Sequence, residues 1–226
     1  MCYYPRVREF ELSVAEMAAV GGLIQVTCAG PDPGAAPGQL CLVLADQPEQ
    51  PWLRVGLHLA AHDEGGAVFY VPMTHPYARL EPGDQLQVLG PVGRGFRLPD
   101  GAAHLLVVAS SLDRLLPTIQ QALRRNLAVT VLTPRSADLL PPDVEIHRGP
   151  LSAELAAWAD VVVLDVADPK ARAQHIRALA PPRAEHYIQA LFTVPMPCGV
   201  GACQACWVEP VQAKRLACVD GPVFAL

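Results

Sequence analysis

Short apolar runs separated by proline and glycine turns fill the first hundred residues. Five segments are apolar or alternate between apolar and polar residues, namely 23–28, 40–44, 55–59, 67–71 and 86–89. A period of two is typical of half-buried strands, and short strands at regular spacing indicate a small barrel. Turn sequences such as Pro37-Gly38 and Pro82-Gly83-Asp84 lie between the runs. We therefore predict a β-barrel domain over residues 1–100.

The pattern changes near residue 101. Apolar segments at 105–109, 127–132 and 161–166 alternate with helix-like segments at 112–125 and 169–179. Alternation of strands and helices at this spacing predicts a parallel α/β sheet. This second domain is expected to span residues 101–182. The sequence Ala180-Pro181-Pro182-Arg183 then predicts a linker into a small C-terminal domain at 183–226.

Composition narrows the function classes. The chain has 226 residues, of which 51% are apolar and 17% charged, as expected of a well-buried globular protein. The net charge is −5, and Lys and Arg are scattered, so nucleic-acid binding is not expected. No apolar run has the length of a secretory signal core or a membrane helix. We therefore expect a cytoplasmic protein without membrane contact.

Cysteine spacing carries the strongest chemical signal. An odd count of seven excludes a complete disulfide set, and four of the seven lie within the last 29 positions. Cys198, Cys203, Cys206 and Cys218 have the spacing C-x4-C-x2-C followed by a fourth cysteine after eleven residues. This is the spacing of plant-type [2Fe–2S] sites, in which four thiolates hold two irons. We therefore predict that these four residues hold a [2Fe–2S] cluster.

Small residues within the motif fit the same chemistry. Gly199, Gly201, Ala202 and Ala205 permit positive φ angles and a close approach of backbone to inorganic sulfide. Two alternatives stay open, structural zinc and inert buried thiols, although zinc sites favour paired C-x2-C arms. The isolated cysteines are interpreted differently. Cys28 and Cys41 lie in apolar strands and are expected in the core, while Cys2 has no expected role.

With these motifs the sequence resembles the electron-transfer subunit of dihydroorotate dehydrogenase, a relative of the ferredoxin-reductase flavoproteins. The resemblance is strongest in the segments 198–206 and 216–224, where Cys218-Val219-Asp220-Gly221-Pro222 follows the cysteine loop. It extends to Pro37-Gly38-Gln39, to Pro82-Gly83-Asp84 and to the glycine-rich segment 89–96. Nearly the whole chain is covered in the expected order.

The resemblance implies a ferredoxin-reductase-like two-lobed fold, a β barrel plus α/β lobe, with a small C-terminal iron–sulfur domain. The barrel would bind FAD and the α/β lobe a nicotinamide. Electrons would pass through the [2Fe–2S] cluster to a partner, by family a flavin-containing dihydroorotate dehydrogenase catalytic subunit of pyrimidine biosynthesis. Such a relay needs no catalytic acid or base. The dispersed histidines are accordingly expected to be surface or hydrogen-bonded residues.

The nicotinamide lobe departs from the family pattern. Family members carry a glycine-rich turn after the first α/β strand, where a pyrophosphate approaches a helix N-terminus. Here the segment 107–113 contains no glycine, and Asp113 places a carboxylate near the helix. Ser110, Ser111 or Asp113 would instead cap that helix. We therefore expect no useful NAD affinity and a degenerate nucleotide lobe.

The flavin motif is also altered. The family pattern of Arg, two residues and then Ser or Thr aligns with Arg54 and Leu57, which keeps the cation and loses the hydroxyl. Thr74 matches the threonine of a second flavin-contacting turn, with Met73 before it. The resemblance thus gives Arg54 and Thr74 as FAD-binding candidates. An ordinary surface cation is the alternative for Arg54.

Taken together, these observations predict an oxidoreductase subunit that transfers electrons through a [2Fe–2S] cluster to a partner. Two alternatives remain. One is a structural or regulatory iron–sulfur module that has lost flavin and NAD binding, and the other is a full NADH-dependent FAD reductase.

Overall fold

The N-terminal lobe is a curled antiparallel sheet. The structure is a computed structural model that describes residues 7–46, 53–63, 66–134, 138–180 and 187–226, so Cys2 and the predicted linker residues 181–183 lie outside it. The strands of this sheet are β1 (Arg8–Val20), β2 (Leu23–Ala29), β3 (Leu40–Ala45), β4 (Val55–Leu57), β5 (Leu59–Asp63), β6 (Gly66–Pro72) and β7 (Gln85–Val92). Their order is β4-β3-β7-β1-β2-β6-β5.

The two edge strands of the sheet follow one another in the chain with a single residue between them. These strands are β4 and β5, and the residue between them is His58. The enclosed apolar core contains Leu12, Phe69 and Val88. Two of the isolated cysteines, Cys28 and Cys41, also lie in this core and are fully buried, as expected. A short 3₁₀ helix (Pro76–Arg79) supports the barrel through Tyr77, whose hydroxyl donates to the Val43 carbonyl at 2.8 Å.

The second lobe is the predicted α/β sheet. Its strands are β8 (His104–Ala109), β9 (Ala128–Leu132), β10 (Glu145–His147), β11 (Val161–Asp165), β12 (Ile188–Leu191) and β15 (Val223–Ala225). They lie in the order β10-β9-β8-β11-β12-β15, parallel except for the last pair. Strands β8 and β11 are apolar apart from His104 at the start of β8 and Asp165 at the end of β11, because helices cover both faces of the sheet.

Helices divide between the two faces. Helix α1 (Leu116–Arg124) packs Ile119 and Ala122 on one face, whereas α2 (Ala153–Trp158) and α3 (Pro169–Leu179) pack on the other. Asp168 caps α3 by accepting from the Ala171 N–H at 2.9 Å. Within the described residues no helix is long and apolar enough to cross a membrane.

The C-terminal segment forms a small unit that returns to the α/β sheet. It contains the hairpin of β13 (Trp207–Val208) and β14 (Arg215–Leu216), followed by α4 (Ala217–Asp220). Strand β15 then pairs with β12 at the sheet edge. The boundary predicted near residue 182 therefore does not coincide with the edge of the sheet, since β12 and β15 both lie beyond it.

One local expectation was wrong. No side chain caps α1, which begins only at Leu116 after the Leu115 N-cap, so Ser110, Ser111 and Asp113 do not have this role. Ser111 instead donates a hydrogen bond to Asp113. Val223 and Phe224 are buried by pairing in β15, whereas Trp207 remains 47% exposed.

Candidate functional site

The cysteine loop has the backbone that its small residues predicted. Gly199 and Gly201 have φ angles of 67° and 78°, and Gln204 has a φ of 53°. A Cβ atom on Gly199 would lie 2.6 Å from Cδ1 of Leu42, so only glycine fits between the loop and the barrel. The local sequence thus lets the loop turn tightly while it lies against strand β3.

The structure brings the four cysteines into one region as two pairs. The sulfurs of Cys206 and Cys218 are 3.3 Å apart, and the Cys203 N–H points at the Cys198 sulfur with an N–S distance of 3.5 Å. Cys206 and Cys218 are buried, Cys198 is partly exposed and Cys203 is exposed. Among the described residues, no three His, Cys, Asp or Glu side chains are grouped closely enough to hold a single metal ion. The four cysteines therefore form two contacting pairs, Cys198 with Cys203 and Cys206 with Cys218.

Backbone dipoles favour a thiolate at the exposed end of the loop. Burial raises the pKa of Cys198, but hydrogen bonds from the backbone of Cys203, Val200 and Ala202 outweigh it and lower the pKa to about 7. At Cys218, burial and then the Cys206 sulfur raise the pKa to about 12. The thiolate is the form that binds metal, so N–H groups aimed at sulfur suit a thiolate ligand.

An apolar cluster fixes this loop to the barrel. Leu40, Leu42 and Val92 of the barrel pack with Met196 and Phe224 of the C-terminal segment, and the same cluster includes Cys206 and Cys218. The two buried cysteines are therefore held by the same contacts that join the C-terminal unit to the barrel.

A cavity of about 480 Å³ opens beside this junction. The barrel contributes the segment 53–56 and His58, the α/β lobe contributes Arg114, and the chain leading to the cysteine loop contributes the segment 192–197. Cys198 directly follows the last of these residues. A ligand in the cavity would therefore lie next to the cysteine loop. Its walls are mostly apolar, with Arg54, His58 and Arg114 supplying the polar groups that a specific site requires.

The two flavin candidates from the sequence are placed differently. Arg54 lines the cavity and pairs with Glu9 at 2.5 Å, while its Nε atom is buried without a hydrogen-bond partner. Thr74 lies in an exposed turn and is not among the described residues that line the cavity. Their role in binding FAD stays a prediction.

Sequence reasoning missed His58. The ring is hydrogen-bonded to the Gln39 backbone, as expected of a buried histidine, but its Nδ1 atom is buried and has no hydrogen-bond partner. Burial, and then the charge of Arg114, lower the pKa of His58 to about 3, although a hydrogen bond with the Gln39 backbone acts in the opposite direction. The ring is therefore neutral at pH 7. One signal was present in the sequence, since His58 interrupts an otherwise apolar strand.

An internal ion pair occupies the nucleotide lobe at the carboxyl ends of β8 and β11. Arg114 donates two hydrogen bonds of 2.7 Å to Asp165 and one of 3.0 Å to Thr193. Asp165 is only 2% exposed, and burial raises its pKa while Arg114 lowers it part of the way back. In open α/β sheets this crevice is where a dinucleotide would bind. The residues present do not fit that group, because a glycine-free turn and a satisfied ion pair replace the open phosphate site.

Comparisons with known proteins agree with this arrangement. Residues 195–226 match the family described as the iron–sulfur cluster binding domain of dihydroorotate dehydrogenase B. The electron transfer subunit of dihydroorotate dehydrogenase B (NAD(+)) from Desulforamulus reducens is 25% identical over 224 residues, covering 84% of this chain and 85% of that protein. A probable subunit of the same name from Methanopyrus kandleri is 28% identical over 178 residues, covering 68% and 65%.

Solved structures support the fold. An NADH-dependent reduced ferredoxin-NADP oxidoreductase has a TM-score of 0.67 at 16% identity, with 95% of this chain and 87% of that chain covered. The ferredoxin reductase in carbazole 1,9a-dioxygenase has a TM-score of 0.63 at 20% identity, with coverage of 83% and 70%.

Fold and matched segment together define a ferredoxin-reductase-like protein with a C-terminal iron–sulfur domain, as the sequence predicted. Within that class the predicted resemblance is also confirmed. The chain is similar to dihydroorotate dehydrogenase B electron transfer subunits along most of its length, and its residues 195–226 match the iron–sulfur cluster binding domain of that family.

Proposed function

We propose that this protein is an electron-transfer subunit that carries a [2Fe–2S] cluster on Cys198, Cys203, Cys206 and Cys218 and passes electrons to a partner oxidoreductase. One observation carries the proposal. The four-cysteine loop, which lies in the matched iron–sulfur segment, is packed beside a cavity that contains unsatisfied polar groups. When bound, the cluster supplies one-electron chemistry.

The chain's own residues have distinct parts in this function. Cys206 and Cys218 anchor the site in the apolar junction, and Cys198 and Cys203 close it from the solvent side. The exposure of Cys203 makes its side of the loop the natural exit for an electron. N–H groups directed at the Cys198 sulfur stabilise its thiolate.

We further propose that the cavity holds the ring system of FAD. Flavin supplies the exchange between two-electron and one-electron chemistry when it is bound. The fit rests on an apolar pocket of suitable size and on the buried Nε of Arg54, which has no partner within the described part of the chain. Arg54 would donate to an acceptor oxygen of the flavin, and Thr74 would contact a more distant part of the cofactor.

The partner is proposed from the relatives. Both are named as electron transfer subunits of dihydroorotate dehydrogenase B. By this relationship the acceptor or donor would be a flavin-containing dihydroorotate dehydrogenase catalytic subunit of pyrimidine biosynthesis, in the cytoplasm. The exposed Trp207 directly follows a cluster cysteine and is the candidate contact for such a partner.

Purification without oxygen tests the cofactors. We expect about two iron and two sulfide per chain, a visible [2Fe–2S] spectrum and bound or readily reconstituted FAD. Zinc in place of iron would overturn the electron-transfer function. Iron and sulfide without any FAD affinity would favour the structural or regulatory module.

Nicotinamide dependence is tested separately. Binding of NADH in the crevice would require the bidentate Arg114–Asp165 pair to open, which would leave a nearly buried carboxylate without its partner. We therefore expect no NADH binding at micromolar concentration. Micromolar binding by titration, or rapid bleaching of the cluster by NADH alone, would instead establish the full reductase.

A further inference from the structure

Unsatisfied buried polar atoms are concentrated in the cavity. In the described part of the chain, three buried side-chain polar atoms have no hydrogen-bond partner, Arg54 Nε, His58 Nδ1 and Thr118 Oγ1. The first two belong to residues that line the same cavity. Buried polar atoms in folded proteins are nearly always paired, so two unpaired atoms on residues that line one cavity point to a ligand that pairs with both.

Barrel closure explains why His58 faces the cavity. It is the single residue between edge strands β4 and β5, and its neighbours Leu57 and Leu59 both pack into the barrel core. Because side chains alternate along a strand, the ring of His58 is directed to the opposite side, where the cavity lies. Leu57 holds the place of the family's hydroxyl, and His58 is the next residue along the chain.

Hydrogen bonding defines the chemistry of the orphan nitrogen. The ring forms one hydrogen bond with the Gln39 backbone, and Nδ1 is the atom that lacks a partner. In a neutral imidazole one nitrogen donates and the other accepts. Since the bond to a backbone carbonyl uses the donor, Nδ1 presents a lone pair to the cavity. Arg54 Nε–H presents a donor.

The ligand must therefore offer both an N–H group and an acceptor oxygen on one molecule. An imide edge, in which a ring N–H lies between two carbonyl groups, has this pattern. The pyrimidine ring of oxidised flavin carries such an edge, and its N–H is the only donor of the flavin ring system.

We propose that His58 Nδ1 accepts a hydrogen bond from the pyrimidine-ring N–H of bound flavin and so orients the ring beside the cysteine loop. This inference rests on the proposed FAD site and assigns a positioning residue within it.

Three variants of the anaerobically purified full chain test the role. His58→Leu removes the acceptor at similar volume, while His58→Asn places an amide oxygen close to the position of Nδ1. His62→Leu is the matched control, because His62 lies on β5 but does not line the cavity. Iron and sulfide content, together with the visible cluster spectrum, show that each variant is folded.

FAD affinity is the first measurement, by quenching of flavin fluorescence. We expect about tenfold weaker binding for His58→Leu, equivalent to about 1.4 kcal/mol. His58→Asn should recover most of the loss, and His62→Leu should bind as the parent does. Equal affinity of the parent and His58→Leu would overturn the role of His58 while leaving the flavin site intact.

A flavin analogue provides a second measurement. FAD methylated at the pyrimidine-ring nitrogen lacks the donor, so it should bind the parent about tenfold more weakly than FAD does. In His58→Leu the methyl group should weaken binding markedly less than it does in the parent, because the hydrogen bond is already absent. Equal penalties in both proteins would overturn the assignment. Failure of the parent to bind FAD at all, with a full cluster, would remove both the flavin site and this inference but not the cluster proposal.

Discussion

At the scale of single residues, the thiol pKa distinguishes Cys198 from the core cysteines, although it does not distinguish Cys218, whose pKa is raised to about 12 as theirs are. Burial raises the pKa of Cys28 and of Cys41 to about 12, and both thiols lie inside the barrel core. Cys198 is the contrasting case, with its pKa lowered to about 7 by the loop backbone. Residue type alone therefore does not define a ligand, since the same thiol is inert where no dipole or positive charge stabilises the thiolate.

Replacement of Cys203 or Cys206 by Ser should abolish the visible absorbance of the purified protein. We also expect about the last forty residues to lose stability, because ligands organise that segment when a metal is bound. Absorbance, iron and sulfide are the measurements, with limited proteolysis of the C-terminal segment. Cys28→Ala is the control and should keep the cluster. Iron and sulfide retained in both serine variants would contradict the assignment.

Spacing identified the cysteines as ligand candidates, whereas the only local sign of His58 was that it interrupts an apolar segment. The cysteine loop is contiguous, so its geometry is encoded within nine residues. The importance of His58 depends on Arg114 and Phe192, which line the opposite walls of the cavity and are far away in sequence. That His58 Nδ1 lacks a hydrogen-bond partner becomes visible only when these residues, which are distant in sequence, are brought together by the fold.

At the scale of elements, the sequence pattern predicted the strands that are buried on both faces more reliably than the others. The segments predicted at 105–109, 127–132 and 161–166 became β8, β9 and β11, whose long apolar runs reflect cover on both faces. Strand β1 was missed although it has 13 residues. A bulge between Val14 and Glu16 shifts its register, and this breaks the period of two on which recognition depends. Beyond residue 183 the sequence did not indicate that β12 and β15 complete the α/β sheet.

The start of strand β8 provides a test of element stability. Asp160 accepts hydrogen bonds from the backbone N–H of Ala103 at 2.9 Å and of His104 at 3.0 Å. The bond from Ala103 is the largest cause that lowers the pKa of Asp160 below 3.8. A lowered folded-state pKa stabilises the protein above the unfolded value, and this contribution disappears as the pH falls through the folded value.

Asp160→Asn should therefore lower the free energy of unfolding by about 1 kcal/mol at pH 7. The difference from the parent should shrink as the pH falls from 3.8 through the lower folded-state pKa of Asp160, below which the carboxylate is protonated in both states. Urea unfolding at several pH values measures this effect. Asp143→Asn is the matched control, since Asp143 is exposed on a turn. A pH-independent difference would show that shape, not charge, matters at this position.

At the scale of the whole molecule, hydrogen bonds of the C-terminal segment connect the barrel, the α/β lobe and the small C-terminal unit. The Phe192 N–H donates to the Pro222 carbonyl at 2.9 Å, and the Arg94 N–H donates to Gly221. Gln189 adds a reciprocal pair of hydrogen bonds with the backbone of Arg97, of 2.8 and 2.6 Å. The alternation of strands and helices predicted the two lobes, but these ties join residues from 30 to 127 positions apart and have no local signature. They hold the cysteine loop and the cavity side by side.

A partner must then reach the loop from its exposed side, where Trp207 lies. Large aromatic residues dominate binding energy at many interfaces. We expect Trp207→Ala to weaken association with the proposed partner subunit by about 2 kcal/mol, roughly 30-fold. Binding of the purified complex partner, measured by calorimetry, gives the number.

Met73→Ala is the matched control for this experiment, since Met73 is 63% exposed but lies on a barrel turn outside the cysteine segment. Its affinity should equal that of the parent. Full iron and sulfide in Trp207→Ala are required, because Trp207 also pairs with Leu216 in the small hairpin and its loss must leave the cluster site intact. If Trp207→Ala binds as tightly as Met73→Ala, the partner docks elsewhere. A native protein that purifies strictly alone, with no oxidoreductase bound, would contradict the subunit role altogether.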